Sequence, residues 1–382
     1  MLIITKSINE IRRIVLNSYV YVENIKKTEM EAFMKRLVCL IMCLVLFSSI
    51  LSGCSASKTS DNEREYHVVT DMAGNDVKLP VNIERISCMS ATCETALVAM
   101  GQAEKMICTS AFANGDFSFT YKLFPEFANV EKVQGGLSNE ELIARGVDVV
   151  FVKSKSNIEK LNEAGITAFY LEFNDIEQTK ESITLLGEIF NVPDIANAYI
   201  KYIDKYIPLI QERLADIPDD EIITVYAPLL RSSDNTIFNT YDPSHITTEV
   251  FDLCNAHVIT KDIEFTDNNG IITEEALIRL NPDVIMVCGF HNEAGYQYLT
   301  DGKYNSILSA VDNDKLYYFP LGIYDWSAGG FELGISSIWI AKTLYPQYFE
   351  DIDLVSLTKE YYKDTAGATL TDEDINYIFK TE

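Results

Sequence analysis

The chain has 382 residues, 47% hydrophobic and 23% charged, enough for two or three domains with a real core; this excludes disorder along most of its length and a polytopic membrane protein. Its 31 basic and 57 acidic residues leave a net charge of −26, so nucleic-acid phosphates meet repulsion nearly everywhere and no nucleic-acid partner is expected. Eight cysteines include no C-x-x-C pair, so structural zinc and iron–sulfur sites lack their spacing. Cys88, Cys93, Cys108, Cys254 and Cys288 read as small buried hydrophobes.

Lys35-Arg36 precedes a run without charge, Leu37 to Phe47, which leads into Ser48-Ser49-Ile50-Leu51-Ser52-Gly53-Cys54. A basic start, a short apolar stretch and small residues before a cut site describe a secretory signal. The run is too short to span a ~30 Å hydrocarbon core comfortably. Leu51-Ser52-Gly53-Cys54 resembles the bacterial lipobox, which implies diacylation of Cys54 and attachment to the outer face of the cell membrane. A plain signal anchor with an incidental cysteine is the alternative. Residues 1–53 are thus leader and signal, with Met30 or Met34 able to start a signal of ordinary length. Residues 54–65 are polar and form a flexible tether.

Strand-like and helix-like segments then alternate. Val77–Pro80, Arg85–Met89 and Lys105–Cys108 read as strands, and Ala91–Met100 as a helix stopped by Gly101. Glu140–Arg145 is helical and runs into Val147–Val152, a nearly continuous apolar strand of the kind buried on both faces of a parallel sheet. Ile158–Ala164 (helix) and Thr167–Phe173 (strand) complete a first lobe, residues 66–174. Across 175–215 apolar residues recur at spacings of three and four, predicting linking helices, the longer from Asp194 to Leu214 with Pro193 as a break or first-turn position. Alternation resumes over 216–382: strands at Ile222–Ala227, Val284–Cys288 and Lys315–Phe319, helices at Thr247–Cys254, Glu274–Leu280 and Glu332–Leu344. The fold class is α/β, two Rossmann-like lobes joined by one long helix, with a ligand cleft between them.

The lobes echo each other. Glu140 to Val152 and Glu275 to Val287 both read acid, helix, turn, Asp, buried strand. Any helix–turn–strand unit has something of this look, but order and position add to it. The lipobox, Asp71-Met72-Ala73-Gly74 before Val77–Pro80, Arg85–Thr92 entering a helix, and Trp326 ahead of Glu332 resemble the helical-spine substrate-binding proteins of ABC importers. The resemblance covers about residues 66–380. It implies capture of an iron–siderophore, haem or cobalamin, with molybdate or tungstate in some branches, and an ABC permease as partner. It also implies that one surface acid per lobe docks on that permease, which falls on Glu140 and Glu275; Glu332 matches a Pro-Glu position weakly, because Phe331 replaces the proline.

No G-x-S-x-G, G-x-x-x-x-G-K-[ST] or H-E-x-x-H motif occurs, so neither an enzyme nor a cofactor is expected. Polar groups at strand ends suit binding of a metal chelate or small anion. Ser90, Ala91 and Thr92 open a helix whose N–H groups suit an anion, or they simply cap it. Lys153 follows a strand and is either a cationic donor or a solvated loop residue. In the second lobe Arg231 suits a carboxylate or phosphate, and His291 a metal or a hydrogen bond. Tyr324 and Trp326, in a Gly-flanked loop, suit stacking on a flat ligand or lining of the hinge. No resident metal is assigned. The competing class is a lipid-anchored metalloenzyme using His245, Glu249 and His291.

Overall fold

The computed structural model describes residues 64–113, 117–230, 237–241, 243–263 and 270–380. The signal sequence, Cys54, the tether up to residue 63 and Arg231 lie outside that range.

A hairpin of β1 (Tyr66–Thr70) and β2 (Asp76–Pro80) opens the chain. Buried Asp71 holds its turn, accepting from the N–H groups of Ala73 and Asn75 at 3.0 and 2.8 Å, and also from the N–H of Tyr170. The Asp-Met-Ala-Gly motif is therefore a fastener between hairpin and lobe. The first lobe is a parallel sheet in the order β3 (Ile86–Cys88), β4 (Val149–Val152), β5 (Ala168–Tyr170). Around it lie α1 (Ala91–Ala99), α2 (Ser118–Leu123), α3 (Asn139–Ala144) and α4 (Lys155–Glu163). All four residues of β4 are buried, as its unbroken apolar run requires. The strand expected at Lys105–Cys108 does not form. Ala103–Lys105 make a 3₁₀ turn after left-handed Gly101, and only an isolated bridge from Met106 to Ile86 remains.

α5 (Ile176–Ile189) and α6 (Pro193–Leu214) form the linking pair. Pro193 takes the first turn of α6, where its missing N–H costs nothing. The 22 residues of α6 make a rod about 33 Å long. Pro208 sits inside it on the exposed side, which leaves the Asp204 carbonyl to water.

The second lobe is a parallel sheet in the order β7 (His257–Val258), β6 (Thr224–Tyr226), β8 (Val284–Val287), β9 (Leu316–Tyr318). Its helices are α7 (Ile246–Leu253), α8 (Glu274–Leu280), α9 (Asn292–Thr300), α10 (Ser309–Asp312), α11 (Leu333–Leu344), α12 (Leu354–Ala366) and α13 (Asp372–Phe379). The spine α6 packs along α11. Gly334 allows the approach: a Cβ there would lie 2.6 Å from the backbone carbon of Tyr202. Tyr199 and Tyr202 fill the seam against Phe331 and Tyr361 edge to face.

A second tie joins the lobes. The Thr120 hydroxyl on α2 donates to the Ile323 carbonyl at 2.7 Å, and Lys122 pairs with Asp374 at 2.5 Å. Among the described residues no helix is long and apolar enough to cross a membrane.

Candidate functional site

The carboxyl ends of β3 and β4 lie side by side, since Met89 N–H donates to the Phe151 carbonyl at 3.0 Å. From β3 the chain turns at once into α1. Ser90 at its N-cap is extended (φ −154°, ψ 132°) and its side chain caps nothing, so the only side-chain charge in the first turn of the helix is the buried carboxylate of Glu94. That end opens on a cavity of about 400 Å³ lined by Met89, Ser90, Ala91, Ser110, Gly135 and Gly136, among others.

Glu94 backs the Ser110–Ala111 side of the cavity. This carboxylate, 1% exposed on the first turn of α1, accepts from the Thr109 hydroxyl, from the N–H and hydroxyl of Ser110 at 3.0 and 2.9 Å, and from the N–H of Ala111 at 3.0 Å. A buried acid thus spends its acceptors on the loop that faces the cavity. Beneath lie Cys88, Cys93 and Cys108, all buried free thiols. Burial pushes the Cys88 and Cys108 thiols up, so both stay protonated.

Lys153 leaves β4 at the same end. Half-buried, it has no ion pair or hydrogen bond among the described residues. Burial pulls its pKa below the usual lysine value, against the opposing charge effects of Cys93 and Glu172. The adjacent Lys155 has Glu172 at 4.0 Å, and the Tyr170 hydroxyl donates to the same carboxylate. A helix N-terminus without a side-chain cap and a part-desolvated cation without an ion pair among the described residues thus stand at adjacent strand ends.

The second lobe answers with aromatic rings. Past β8, Gly289 adopts φ 91° and passes so close to the segment following β6 that a Cβ would lie 2.2 Å from the Leu230 carbonyl oxygen. Its N–H donates at 2.6 Å to Asp325, whose other oxygen takes the Ser327 N–H at 2.9 Å. Burial raises the Asp325 pKa, and these two N–H donors oppose the rise. The turn so fixed presents Phe290, which meets Phe117 of the first lobe with ring centroids 4.8 Å apart. Tyr324 lies 4.8 Å from Phe290 and 5.4 Å from Phe112. Thr92 also faces across: its methyl carbon lies 3.4 Å from where a Cβ on Gly330 would stand.

Ser90 and Ala91 line the cavity, Thr92 follows them on α1 and approaches Gly330, Lys153 leaves the adjacent strand end, and Tyr324 belongs to the ring cluster. His291 is the half-buried N-cap of α9, one residue past Phe290. Two assignments need correction. Trp326 is 2% exposed and packs edge-on against Phe379, because its loop folds under α11; it has no face left for a ligand. Glu332 is 4% exposed and accepts from the N–H groups of Ile323 and Tyr324 at 2.7 and 3.2 Å and from the Tyr362 hydroxyl. It is a core acceptor rather than a surface acid. Burial lifts its carboxyl to about 7 in spite of those donors. The Trp326 indole nitrogen lies beside it without meeting hydrogen-bond geometry, so its contribution is the weakest.

The metalloenzyme set does not assemble. His245 caps α7 and stacks on Tyr241 with centroids 4.1 Å apart, while Glu249 accepts from the Ile176 N–H at 3.0 Å at the start of α5. Among the described residues no three His, Cys, Asp or Glu side chains gather as a metal site. Glu94, Ser110 and the Gly135-Gly136 pair escaped the sequence-level assignment. A lone acid inside the apolar run Ala91–Val98 was the available signal.

Residues 134–321 match the model of a family described as periplasmic binding protein. The match spans just under half of the chain. The chain is 23% identical to the molybdate-binding protein MolA of Haemophilus influenzae, over 82% of the chain and 95% of MolA. The crystal structure of MolA bound to molybdate matches with a TM-score of 0.68 at 20% identity, over 80% of this chain and 99% of that one. A periplasmic solute-binding protein from Veillonella parvula DSM 2008 matches with a TM-score of 0.69 at 24% identity, over 83% and 97%. Both structural likenesses show the two-lobed fold. The family works with an ABC permease and binds small ligands, and its members are solute-binding transport proteins.

Proposed function

We propose that this chain captures a small tetrahedral oxyanion of the molybdate or tungstate class and delivers it to an ABC importer. One observation carries the choice of cargo: the α1 N-terminus opens on a cavity of modest size and Lys153 leaves the adjacent strand end without an ion pair among the described residues, while Phe117, Phe290 and Tyr324 pack on one another. An iron chelate, haem or corrinoid needs those ring faces free. The molybdate carried by MolA is in keeping with the oxyanion. Ser90, Ala91 and Thr92 supply N–H and hydroxyl donors, Lys153 supplies charge, and the rings exclude water. Cys54 is the lipid attachment point, and Glu140 and Glu275 meet the permease.

Titration calorimetry of the mature domain with molybdate, tungstate, sulfate and phosphate, beside ferric siderophores, haem and cobalamin, tests this. Binding of molybdate or tungstate alone supports it. A chelate or haem that binds while both metal oxyanions fail overturns it.

A further inference from the structure

At an offset of 135 residues the two echoed units share one structural job after another. Ser138 and Thr273 cap their helices, accepting from the N–H of Glu141 at 3.3 Å and of Ala276 at 3.2 Å. Leu142 and Leu277 are 1% and 0% exposed. Gly146 and Asn281 turn the chain in the left-handed region, at φ 63° and 41°. Asp148 takes the N–H groups of Glu84 and Arg85 at 2.8 and 3.0 Å, and Asp283 takes the N–H and hydroxyl of Thr224 at 2.8 and 2.6 Å. Each Asp thereby ties its unit to the lead of the neighbouring strand.

Two matched positions have no such job. Glu140 and Glu275 are exposed and make no hydrogen bond or ion pair among the described residues, whereas their neighbours Glu141 and Glu274 are engaged. Three residues on, Ile143 and Ile278 are 55% and 37% exposed. A single exposed isoleucine is ordinary. Of nine exposed large apolar side chains in the described chain, these two alone stand 135 residues apart, each on the helix face of an idle acid.

We propose that Ile143 and Ile278 are the apolar anchors of the permease interface, each seated in a hydrophobic socket rimmed by a cation that meets Glu140 or Glu275. Repetition at equivalent positions fits a partner with two equivalent subunits, one socket on each. Acids beside the anchors steer the approach and set register, and the buried isoleucines hold the complex. The inference rests on the transport reading above, though not on the identity of the cargo.

The test replaces both anchors, Ile143→Ser with Ile278→Ser, in the full lipidated chain. Melting temperature and molybdate affinity of the purified protein should stay unchanged, while molybdate uptake by cells falls by about tenfold or more, the usual size of a hot-spot loss. A photo-reactive phenylalanine analogue at position 143 or 278 should cross-link to the permease in cells, a readout that does not depend on cargo. Cross-links to a second copy of this chain, to lipid alone, or to nothing overturn the proposal. So does full uptake by the double variant where Glu140→Lys with Glu275→Lys blocks it. Wild-type cells that take up no molybdate overturn the cargo assignment instead, and the cross-link still decides this one.

Discussion

Lys153→Met separates a binding residue from a solvated surface lysine, because it should make the protein more stable and worse at its task. This ammonium is half-buried at the end of β4, with no counter-ion within 4.0 Å among the described residues and a pKa pulled down by burial. Removing the charge while keeping the apolar stem removes a desolvation cost and loses no contact. Gains of about 0.5–2 kcal/mol are usual where a destabilised functional group is relieved, read as a melting temperature higher by about 2–4 °C per kcal/mol. Affinity should move the other way. A charge-assisted hydrogen bond is worth about 1.5–3 kcal/mol, so the dissociation constant for molybdate should rise by about 10- to 150-fold. Lys153→Arg, which keeps the charge, should recover most of it. Calorimetry and thermal unfolding on the same preparations, at one salt concentration, give both numbers. A pH series adds a third: because burial lowers this pKa, wild-type affinity should begin to fall at a pH below that of an ordinary lysine. A Lys153→Met protein that binds as wild type would place the anion elsewhere, and one that is destabilised would mean the ammonium has a partner after all.

Three further outcomes follow from the frame. Glu332 is lifted from 4.5 to about 7 by burial, so the folded chain binds the proton more tightly than the unfolded one. Stability should be highest below about pH 4.5 as far as this group is concerned and fall as pH rises to about 7, by about 3 kcal/mol at 1.36 kcal/mol per unit; denaturant titrations from pH 4 to 8 should lose that slope in Glu332→Gln. Gly334→Ala puts a Cβ 2.6 Å from the Tyr202 backbone in the spine seam, and urea unfolding should show a loss of about 1–3 kcal/mol. Pro208→Ala restores a donor inside α6 on its exposed side, so it should raise stability by up to about 3 kcal/mol without changing ligand affinity.

Much of the frame was legible for a simple reason. A strand buried on both faces, such as Val149–Val152 or Val284–Val287, must be apolar throughout, and a helix with one buried face must repeat at three and four. β1 was missed because its residues alternate between exposed and half-buried, leaving too weak a contrast to register. α9, α12 and α13 were not anticipated, although the capping box of Thr371 and Asp374 marks the start of α13. The site was less readable because its parts are long-range. Whether Trp326 lines a cleft or seals a core depends on how the loop after β9 folds under α11, and loops carry no periodicity. Glu332 has the same difficulty: at a helix start an acid looks like a surface charge, and only its four close neighbours, Ile323, Tyr324, Trp326 and Tyr362, reveal a core acceptor.

The repeat itself explains why the cargo has to be read from the strand ends. Across the offset of 135 residues the echoed helix–strand units agree in residues that cap, pack or turn, as Ser138 with Thr273, Leu142 with Leu277 and Asp148 with Asp283 do. They part company one step past the strand. Lys153 has Cys288 as its counterpart, a buried thiol whose pKa burial raises far from ionisation, and Ser154 has Gly289, pressed against the Leu230 carbonyl. One lobe therefore presents charge where the other presents a tight apolar turn and the Phe290 ring. A symmetric frame carrying an asymmetric pair of strand ends suits a ligand held by charge on one side and covered on the other. On the proposed oxyanion reading, exchanging the end residues should cost molybdate affinity in calorimetry while every cap, core leucine and Asp tie stays in place.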